Sequence, residues 1–367
     1  MQLTSGVGFI DREYGIYSEE YFTEALCRER KRSERSNRPF VLMLVEFKDR
    51  LVTAGTGIAG KVVDIVSESV RETDVRGWVK RSSTIGVLIT DIAMDAIAPV
   101  TKKIQAKVAE KLHKIPLKHI SISFQIFPEN NISEQGQPFS LLFYPDVLKS
   151  NDSRKGSAII KRLIDIIGSV AGLILFSPLF AVISVAIKLN SKGPVIFRQE
   201  RYGQYGKKIT FLKFRSMYVN NDDAIHRQYV KRLIEEGDDR SNDSSGSQKF
   251  YKIKHDPRVT AVGRFLRKTS LDELPQFFNV LMGDISLVGP RPPIPYELEN
   301  YALWHRHRIL GIKPGLTGMW QVKGRSSTTF DGMVRLDLKY IREWSLWLDL
   351  KLMLLTPMAV VRGKGAC

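Results

Sequence analysis

At 367 residues the chain is long enough for two domains, and its two cysteines, Cys27 and Cys367, exclude a disulfide framework and a zinc pattern, which suits a reducing cytosolic setting. Lys and Arg outnumber Asp and Glu by 56 to 39, unevenly: residues 1–150 hold 21 basic and 19 acidic side chains, residues 151–367 hold 35 and 20. The C-terminal part therefore seeks something anionic: nucleic acid, anionic headgroups or phosphorylated substrates.

The opening residues are polar and mixed in charge, so no signal peptide is expected there. Residues 16–36 read as a charged amphipathic helix, Pro39–Phe47 (PFVLMLVEF) as a buried strand and Ala59–Thr73 as a helix. Trp78–Ile89 follows as a hairpin, Ala93–His113 as a helix and Ile120–Phe127 (ISISFQIF) as a strand. This alternation predicts an α/β sandwich over residues 1–135. Asn, Gln, Ser and Pro become frequent from residue 128, which predicts a linker over 136–157.

From Ile166 to Ile187 the chain runs for 22 residues without a charge, long enough to cross a bilayer core. Ser177-Pro178 falls in the middle, where proline removes a ladder hydrogen bond and bends the helix. Lys161 and Arg162 lie on one flank, and Lys188, Lys192, Arg198 and Arg201 on the other, which assigns both flanks to the cytoplasm. A re-entrant helix over 158–190 satisfies both observations, with the Ser177 hydroxyl available to a carbonyl freed at the bend. An ordinary span would put one domain outside the cell, for which neither soluble part looks suited.

Beyond it, Val195–Gln199 and Lys208–Phe214 read as strands around the turn glycines Gly203 and Gly206, and Asp222–Glu236 as a helix. Gly237–Gln248 has the composition of a solvated loop. His305 and His307 alternate with arginines on an expected basic helix, a spacing unsuited to a helical metal pair. The run from Trp344 to Leu355 is apolar but for Ser345, Asp349 and Lys351, and suits either core packing or a helix lying in a membrane interface.

The densest chemical signal is Ser270-Leu-Asp272-Glu273-Leu-Pro275-Gln276, followed by Gly289-Pro290-Arg291-Pro292. Ser270-x-x-Glu273 could be a capping box, but Pro275 would then fall at the fifth helical position, where its missing N–H is needed. Proline belongs at the first helical position, which makes Leu274 the N-cap and leaves both carboxylates just outside a helix that ends at Gly283. In the positive end of that helix dipole they stay ionised, able to act as nucleophile or magnesium ligand.

Residues from about 158 onward closely resemble the monotopic phosphoglycosyl transferases, the bacterial polyprenyl-phosphate sugar-phosphate transferases. The matching segments are KRLIDIIGS, the Ser177-Pro178 break, RQERYGQYGKKITFLKFRSM, DPRVTAVGRFLRKTSLDELPQFFNVLMGDISLVGPRP, PGLTGMWQVKGRS, WSLWLDLKLMLLTP and RGKGA. The short RGKGA ending resembles the hexose-transferring exopolysaccharide and capsule branch. The resemblance implies that Asp272 attacks the β-phosphate of a UDP-sugar, releases UMP and carries the phosphosugar as an acyl phosphate. Undecaprenyl phosphate would then receive it, initiating exopolysaccharide, capsule or O-antigen assembly. It further implies Mg2+ at Asp272, Glu273 positioning the metal or activating the lipid phosphate, and Lys213, Arg267, Arg291 and Arg325 as phosphate-binding cations.

The first part resembles a diguanylate cyclase (GGDEF-like) domain, through REYGIYSEEYFTEALCRERKRSERSNRPFVLMLVEF and SVRETDVRGWVKRSSTIGVLIT. The family's glycine-acid turn is replaced by Lys80-Arg81-Ser82-Ser83-Thr84 and an expected metal aspartate by Glu46, which implies a degenerate domain without cyclase activity. Arg71-Glu-Thr-Asp74 fits the family's RxxD pattern, though an exposed ion pair on a helix explains it as simply.

The expected fold class is thus α+β: a cyclase-like α/β sandwich, a re-entrant membrane helix hairpin, and over 191–367 a mainly α catalytic domain with a small β-hairpin and interfacial helices. The expected partners are a UDP-sugar, undecaprenyl phosphate and the inner leaflet of a bacterial cytoplasmic membrane, with both domains in the cytoplasm, no nucleic acid, and a homodimer left open. The alternative function is a membrane-anchored cyclic-dinucleotide receptor without transferase activity.

Overall fold

The computed structural model describes residues 8–47, 58–112, 120–129, 138–153, 155–219, 224–235, 256–324 and 328–361. The chain divides into two compact units after Asp146.

The first unit contains β1 (Ile10–Asp11), β2 (Ile16–Tyr17), α1 (Glu19–Ser36), β3 (Phe40–Phe47), α2 (Ile58–Ser69), β4 (Val75–Lys80), β5 (Thr84–Ile89), α3 (Ile97–Leu112) and β6 (Ile120–Phe127). The strands form one sheet in the order β1-β2-β4-β5-β3-β6. β3 pairs antiparallel with both β5 and β6 along its length, Leu44 facing Gly86 on one side and Ser123 on the other. Val41, Met43 and Val45 pack with Val62 and Val66 of α2 and Ile104 and Val108 of α3. Phe40, Leu42 and Leu44 point to the opposite face and are equally buried. Burial on both faces explains why this strand reads as one apolar run, each side chain contributing about 1.5–3 kcal/mol relative to exposure.

Residues 138–146 are part of this unit, which corrects the expected linker. Phe139, Phe143 and Tyr144 are buried, and the Phe143 ring lies 5.6 Å from Phe40 and 5.2 Å from Phe127. The buried Arg30 donates to both Asp146 carboxylate oxygens, at 2.7 and 2.9 Å, and to the Phe143 carbonyl at 3.0 Å. The polar composition of the segment hid these aromatic anchors. α4 (Pro145–Ser153) follows at the junction.

The second unit opens with α5 (Lys155–Asn190), then the antiparallel hairpin β7 (Ile196–Tyr202) and β8 (Lys208–Phe214). Next come α6 (Ala224–Glu235), α7 (Ala261–Thr269), α8 (Gln276–Met282), β9 (Ser286–Val288), α9 (Pro295–Leu298) and α10 (His307–Leu310). β10 (Gly315–Thr317), parallel to β9, precedes α11 (Met319–Lys323), α12 (Phe330–Glu343) and α13 (Leu346–Val361). His305 and His307 do not share one helix: His305 lies in a 3-10 turn, Leu303–Arg306, and His307 opens α10.

α5 is long and apolar enough to cross a membrane, and most of it is left uncovered by the rest of the chain. The helix continues through Pro178, so the expected break is not an interruption into two helices. Proline at 178 leaves the Ile174 carbonyl without its ladder donor, and the Ser177 hydroxyl donates to that oxygen at 2.8 Å. Lys161, Arg162 and Arg201, expected as free flank charges, turn inward instead. Lys161 and Arg201 are buried, and Arg162 donates to the Val280 and Leu281 carbonyls at 2.6 and 2.7 Å, closing the end of α8.

Candidate active site

The acidic pair sits on a short 3-10 turn, Leu271–Glu273, between α7 and α8. α7 starts at Thr260, whose hydroxyl accepts from the Gly263 N–H at 2.9 Å. Gly263 allows the helix to lie against the segment after β8, since a Cβ there would meet the Ser216 carbonyl oxygen at 2.0 Å. The helix ends at Ser270, which takes the left-handed conformation (φ 59°) and turns the chain sharply into the acidic pair. Ser270 makes no side-chain cap, so the capping-box reading is rejected as expected; the N-cap of α8 is Pro275 rather than Leu274. Gly283 ends α8 with φ 89°.

Asp272 is buried and Glu273 partly exposed. The Lys213 ammonium, from β8, donates to Glu273 Oε1 at 3.1 Å. Arg267, in the last turn of α7, donates through Nε to Ser216 Oγ at 3.0 Å. Burial pushes its guanidinium below the usual arginine range, while Asp272 and Asp256 pull it back up. Asp256 is itself held by Arg258 Nη2 at 2.8 Å, and hydrogen bonding from Arg258 depresses its carboxyl. Each carboxylate of the pair thus has its own cation nearby, one by contact and one through space.

The leucines beside the pair fix its place on α5. Leu271 and Leu274 pack into a cluster with Phe176, Leu179, Phe180, Ile183 and Ile187 of α5 and with Phe214 and Leu266. Residues on both sides of Pro178 contribute, Phe176 stacking on Phe277 at 6.2 Å and Phe180 meeting Phe278 edge-on at 6.0 Å.

Arg291 is set by a separate framework. The stretch after β9 is pressed against β10, where a Cβ on Gly289 would meet the Lys313 carbonyl oxygen at 2.4 Å and one on Gly315 the Gly289 nitrogen at 2.0 Å. Arg201 donates to the Pro292 carbonyl at 2.6 Å, and the Tyr202 N–H to the Pro293 carbonyl at 3.0 Å. The buried Arg308 donates to the Arg291 carbonyl at 3.1 Å, Asp337 Oδ2 at 2.6 Å and Tyr301 Oη at 2.7 Å. The Arg291 guanidinium lies 5.9 Å from the Trp320 ring centre. Arg325 falls outside the described residues.

Sequence reading missed Ser216, Asn279 and Arg308. Asn279 alone carried a signal, being a poor helix former within the apolar run QFFNVLM. In the first unit, Arg81 of the turn at 80–84 pairs with β1, its Nε lying 3.1 Å from Asp11 Oδ2. Asp74 is buried and accepts from the Arg71 N–H at 2.8 Å, so it caps a turn beyond α2 instead of forming the expected exposed ion pair.

Adjacent carboxylates suit a hard cation held by one or two protein oxygens plus a substrate phosphate. Among the described residues no cluster of three or more His, Cys, Asp or Glu forms an all-protein cage. Asp272 and Glu273 supply the kind of oxygen donors that a divalent cation takes when a bound ligand completes its shell.

The sequence profile of the bacterial sugar transferase family matches residues 156–363. Among curated relatives, the galactosyl transferase CpsE of Streptococcus agalactiae is 45% identical over 209 residues, 57% of this chain and 43% of that protein. The undecaprenyl-phosphate galactose phosphotransferase of Salmonella typhimurium is 41% identical over 222 residues, 60% of this chain and 44% of its own. The exopolysaccharide production protein ExoY of Rhizobium meliloti is 37% identical over 211 residues, 56% of this chain but 87% of that protein. The chain thus spans less than half the length of the first two relatives. A diguanylate cyclase protein of Thermotoga maritima is similar in structure over 32% of this chain and 87% of its own, at 19% identity and a TM-score of 0.27, too low to support a fold assignment. By the match over residues 156–363, the chain belongs to the bacterial sugar transferase family.

Proposed function

We propose that the protein transfers a sugar 1-phosphate from a UDP-sugar to undecaprenyl phosphate at the cytoplasmic face of a membrane. The observation that carries this reading is the Asp272-Glu273 turn, set between Lys213 and Arg267 and seated through Leu271 and Leu274 on the apolar helix α5. A phosphate ester brought there meets a carboxylate and fixed cations beside a surface fit for a polyprenyl chain.

In the first step an Asp272 carboxylate oxygen bonds to the β-phosphorus, and the bond to the oxygen bridging the two phosphates breaks, with UMP taking the electron pair. In the second, an oxygen of undecaprenyl phosphate bonds to the same phosphorus and the acyl phosphate opens, returning Asp272 as carboxylate. Arg267 and Lys213 offset the charge gathering on the phosphoryl oxygens, and we assign Arg291, on its proline-stiffened loop, the same role. Glu273, oriented by Lys213, is placed to hold the metal or the incoming lipid phosphate. Asp272 would hold magnesium, which would supply Lewis-acid neutralisation of the diphosphate charge when bound.

The same geometry supports a monotopic anchor. A 36-residue helix is about 54 Å long. Contacts with one folded body run from Lys161, against Val288 and Asp349, to Ser191, which accepts from Arg215. Neither end is carried away from the catalytic body, which favours a bent helix dipping into one leaflet. α13 agrees: Asp349 turns inward, whereas Trp347 and Leu354 are 73% and 78% exposed. The N-terminal unit is read, from its sequence layout, as a degenerate cyclase-like domain.

Incubation with undecaprenyl phosphate, magnesium and a panel of UDP-sugars should release UMP. With UDP-sugar alone, mass spectrometry should find a phosphosugar adduct on the peptide containing Asp272. Asp272→Asn should abolish both while the protein stays with the membrane; transfer by that variant, without deamidation, would remove the covalent role.

A further inference from the structure

Asn279 is fully buried in the middle of α8, where an amide is a poor choice for packing among Phe277, Val280 and Leu281. Its side chain lies along the free edge of β8: Oδ1 accepts from the Leu212 N–H at 3.0 Å and Nδ2 donates to the Thr210 carbonyl at 2.7 Å. Those two groups flank Phe211, whose cross-strand partner on the other edge is Gln199 of β7. One asparagine thus acts as a neighbouring strand, satisfying a donor and an acceptor that burial would otherwise leave unpaired. Its main chain is equally committed, the carbonyl accepting from the N–H groups of Gly283 and Asp284 at 3.1 and 3.0 Å.

What this bond pair joins is functional. β8 delivers Lys213, the residue after Leu212, and α8 begins three residues after Glu273. The Lys213–Glu273 contact of 3.1 Å therefore joins β8 to the turn that leads into α8, and the bidentate amide that holds β8 against α8 lies six residues past Glu273. The Lys213 ammonium sits on a flexible stem, so the register of its strand decides which carboxylate that stem reaches.

We propose that Asn279 is a positioning residue, which sets the register of β8 against α8 so that Lys213 is held at Glu273. This rests on the reading of the acidic turn as the transfer site, and its effect acts through Lys213 without contact to substrate.

The test uses the full chain in lipid nanodiscs, with Asn279→Ala, Asn279→Asp, Lys213→Met and the double variant Lys213→Met/Asn279→Ala. Hydrogen exchange read by mass spectrometry should show loss of protection in Asn279→Ala confined to peptides covering residues 208–214. In UMP release, Asn279→Ala should lower kcat roughly ten- to a hundredfold and move KM for the UDP-sugar less than about threefold. The double variant should be no slower than Lys213→Met alone, because the amide works through the lysine. Asn279→Asp, which keeps the acceptor but loses the donor to Thr210, should also lose kcat, and it carries the test if the alanine variant fails to fold. Unchanged protection of residues 208–214, a loss placed mainly in KM, or multiplicative losses in the double variant would each overturn the proposal. Absence of UMP release by the unaltered chain would instead overturn the transfer reading, and the exchange measurement would still decide the clamp.

Discussion

Lys161 Nζ lies 2.6 Å from Asp349 Oδ2, joining the start of the membrane helix to the apolar C-terminal helix across 188 positions of sequence. The lysine also donates to the Val288 carbonyl at 2.9 Å, one residue before the Gly289-Pro290-Arg291 segment. Tyr340 Oη and Trp344 Nε1 meet the same aspartate at 2.6 and 3.1 Å. The charge that interrupts the apolar run of α13 is therefore the anchor of that helix, not its water-facing side.

Both partners are nearly out of solvent, so removing one strands the other. Lys161→Met or Asp349→Ala should each destabilise the chain by about 3–5 kcal/mol, the aspartate more because it has three donors. Lys161→Met/Asp349→Leu together should cost clearly less than the two single changes added. Denaturant unfolding in detergent would check this; simple additivity would mean the pair is not coupled.

The proposed one-sided anchor makes a labelling prediction. Ser157→Cys and Lys192→Cys, at the two ends of α5, should both react with an impermeant maleimide from the cytoplasmic side only. Pro178→Ala returns the missing N–H to the Ile174 carbonyl and removes the ring, so it should straighten the helix and expose one label to the periplasm in part of the population. Periplasmic labelling of the unaltered background would establish a full span.

Burial raises the Asp337 carboxyl to about 6, against the pull of Arg308. The unfolded carboxyl titrates near 4, so between about pH 4 and pH 6 the folded chain holds a proton that the unfolded chain has released. The contribution of this group therefore falls as pH rises through that window and is level above it. Asp337→Asn should lie close to the unaltered chain at about pH 4.5, where both side chains are neutral. The difference should then shift in the variant's favour from about pH 4.5 to about pH 6.5 in denaturant titrations, as the unaltered chain loses this group's contribution. A gap constant across that range would refute the shifted carboxyl.

In the first unit the Asp74 side chain serves the Arg71 backbone, so the two residues should behave differently. Arg71→Ala should leave stability within about 0.5 kcal/mol, because its N–H bond survives the change. Asp74→Ala should cost about 1 kcal/mol or more by uncovering that N–H. Calorimetry with cyclic di-GMP should show no binding, since Asp74 is spent on the Arg71 backbone, and incubation with GTP no cyclic dinucleotide, since residues 80–84 lack the glycines and acids of the family's turn. Binding that Arg71→Ala removes would revive the ligand site.

Local chemistry made much of the protein legible without coordinates. Phe40–Phe47 and Ile120–Phe127 follow from β-branched and aromatic runs, and Gly283 ends α8 because a left-handed residue is needed there. Asp272 and Glu273 stood out as adjacent carboxylates at a proline-marked helix start, whereas Lys213 and Arg267 were named only through the family resemblance. Pairing between distant segments could not be read in this way, because a contact's energy depends on partners that sequence spacing does not reveal. Residues 138–146 looked like a linker until Phe40 and Phe127 supplied a packing surface for Phe143. Lys161 and Asp349 looked like solvated charges until burial made each the other's condition for being there. Asn279 looked like a flaw in an apolar helix until the edge of β8 gave its amide two partners, and only the tertiary structure could bring that edge within reach.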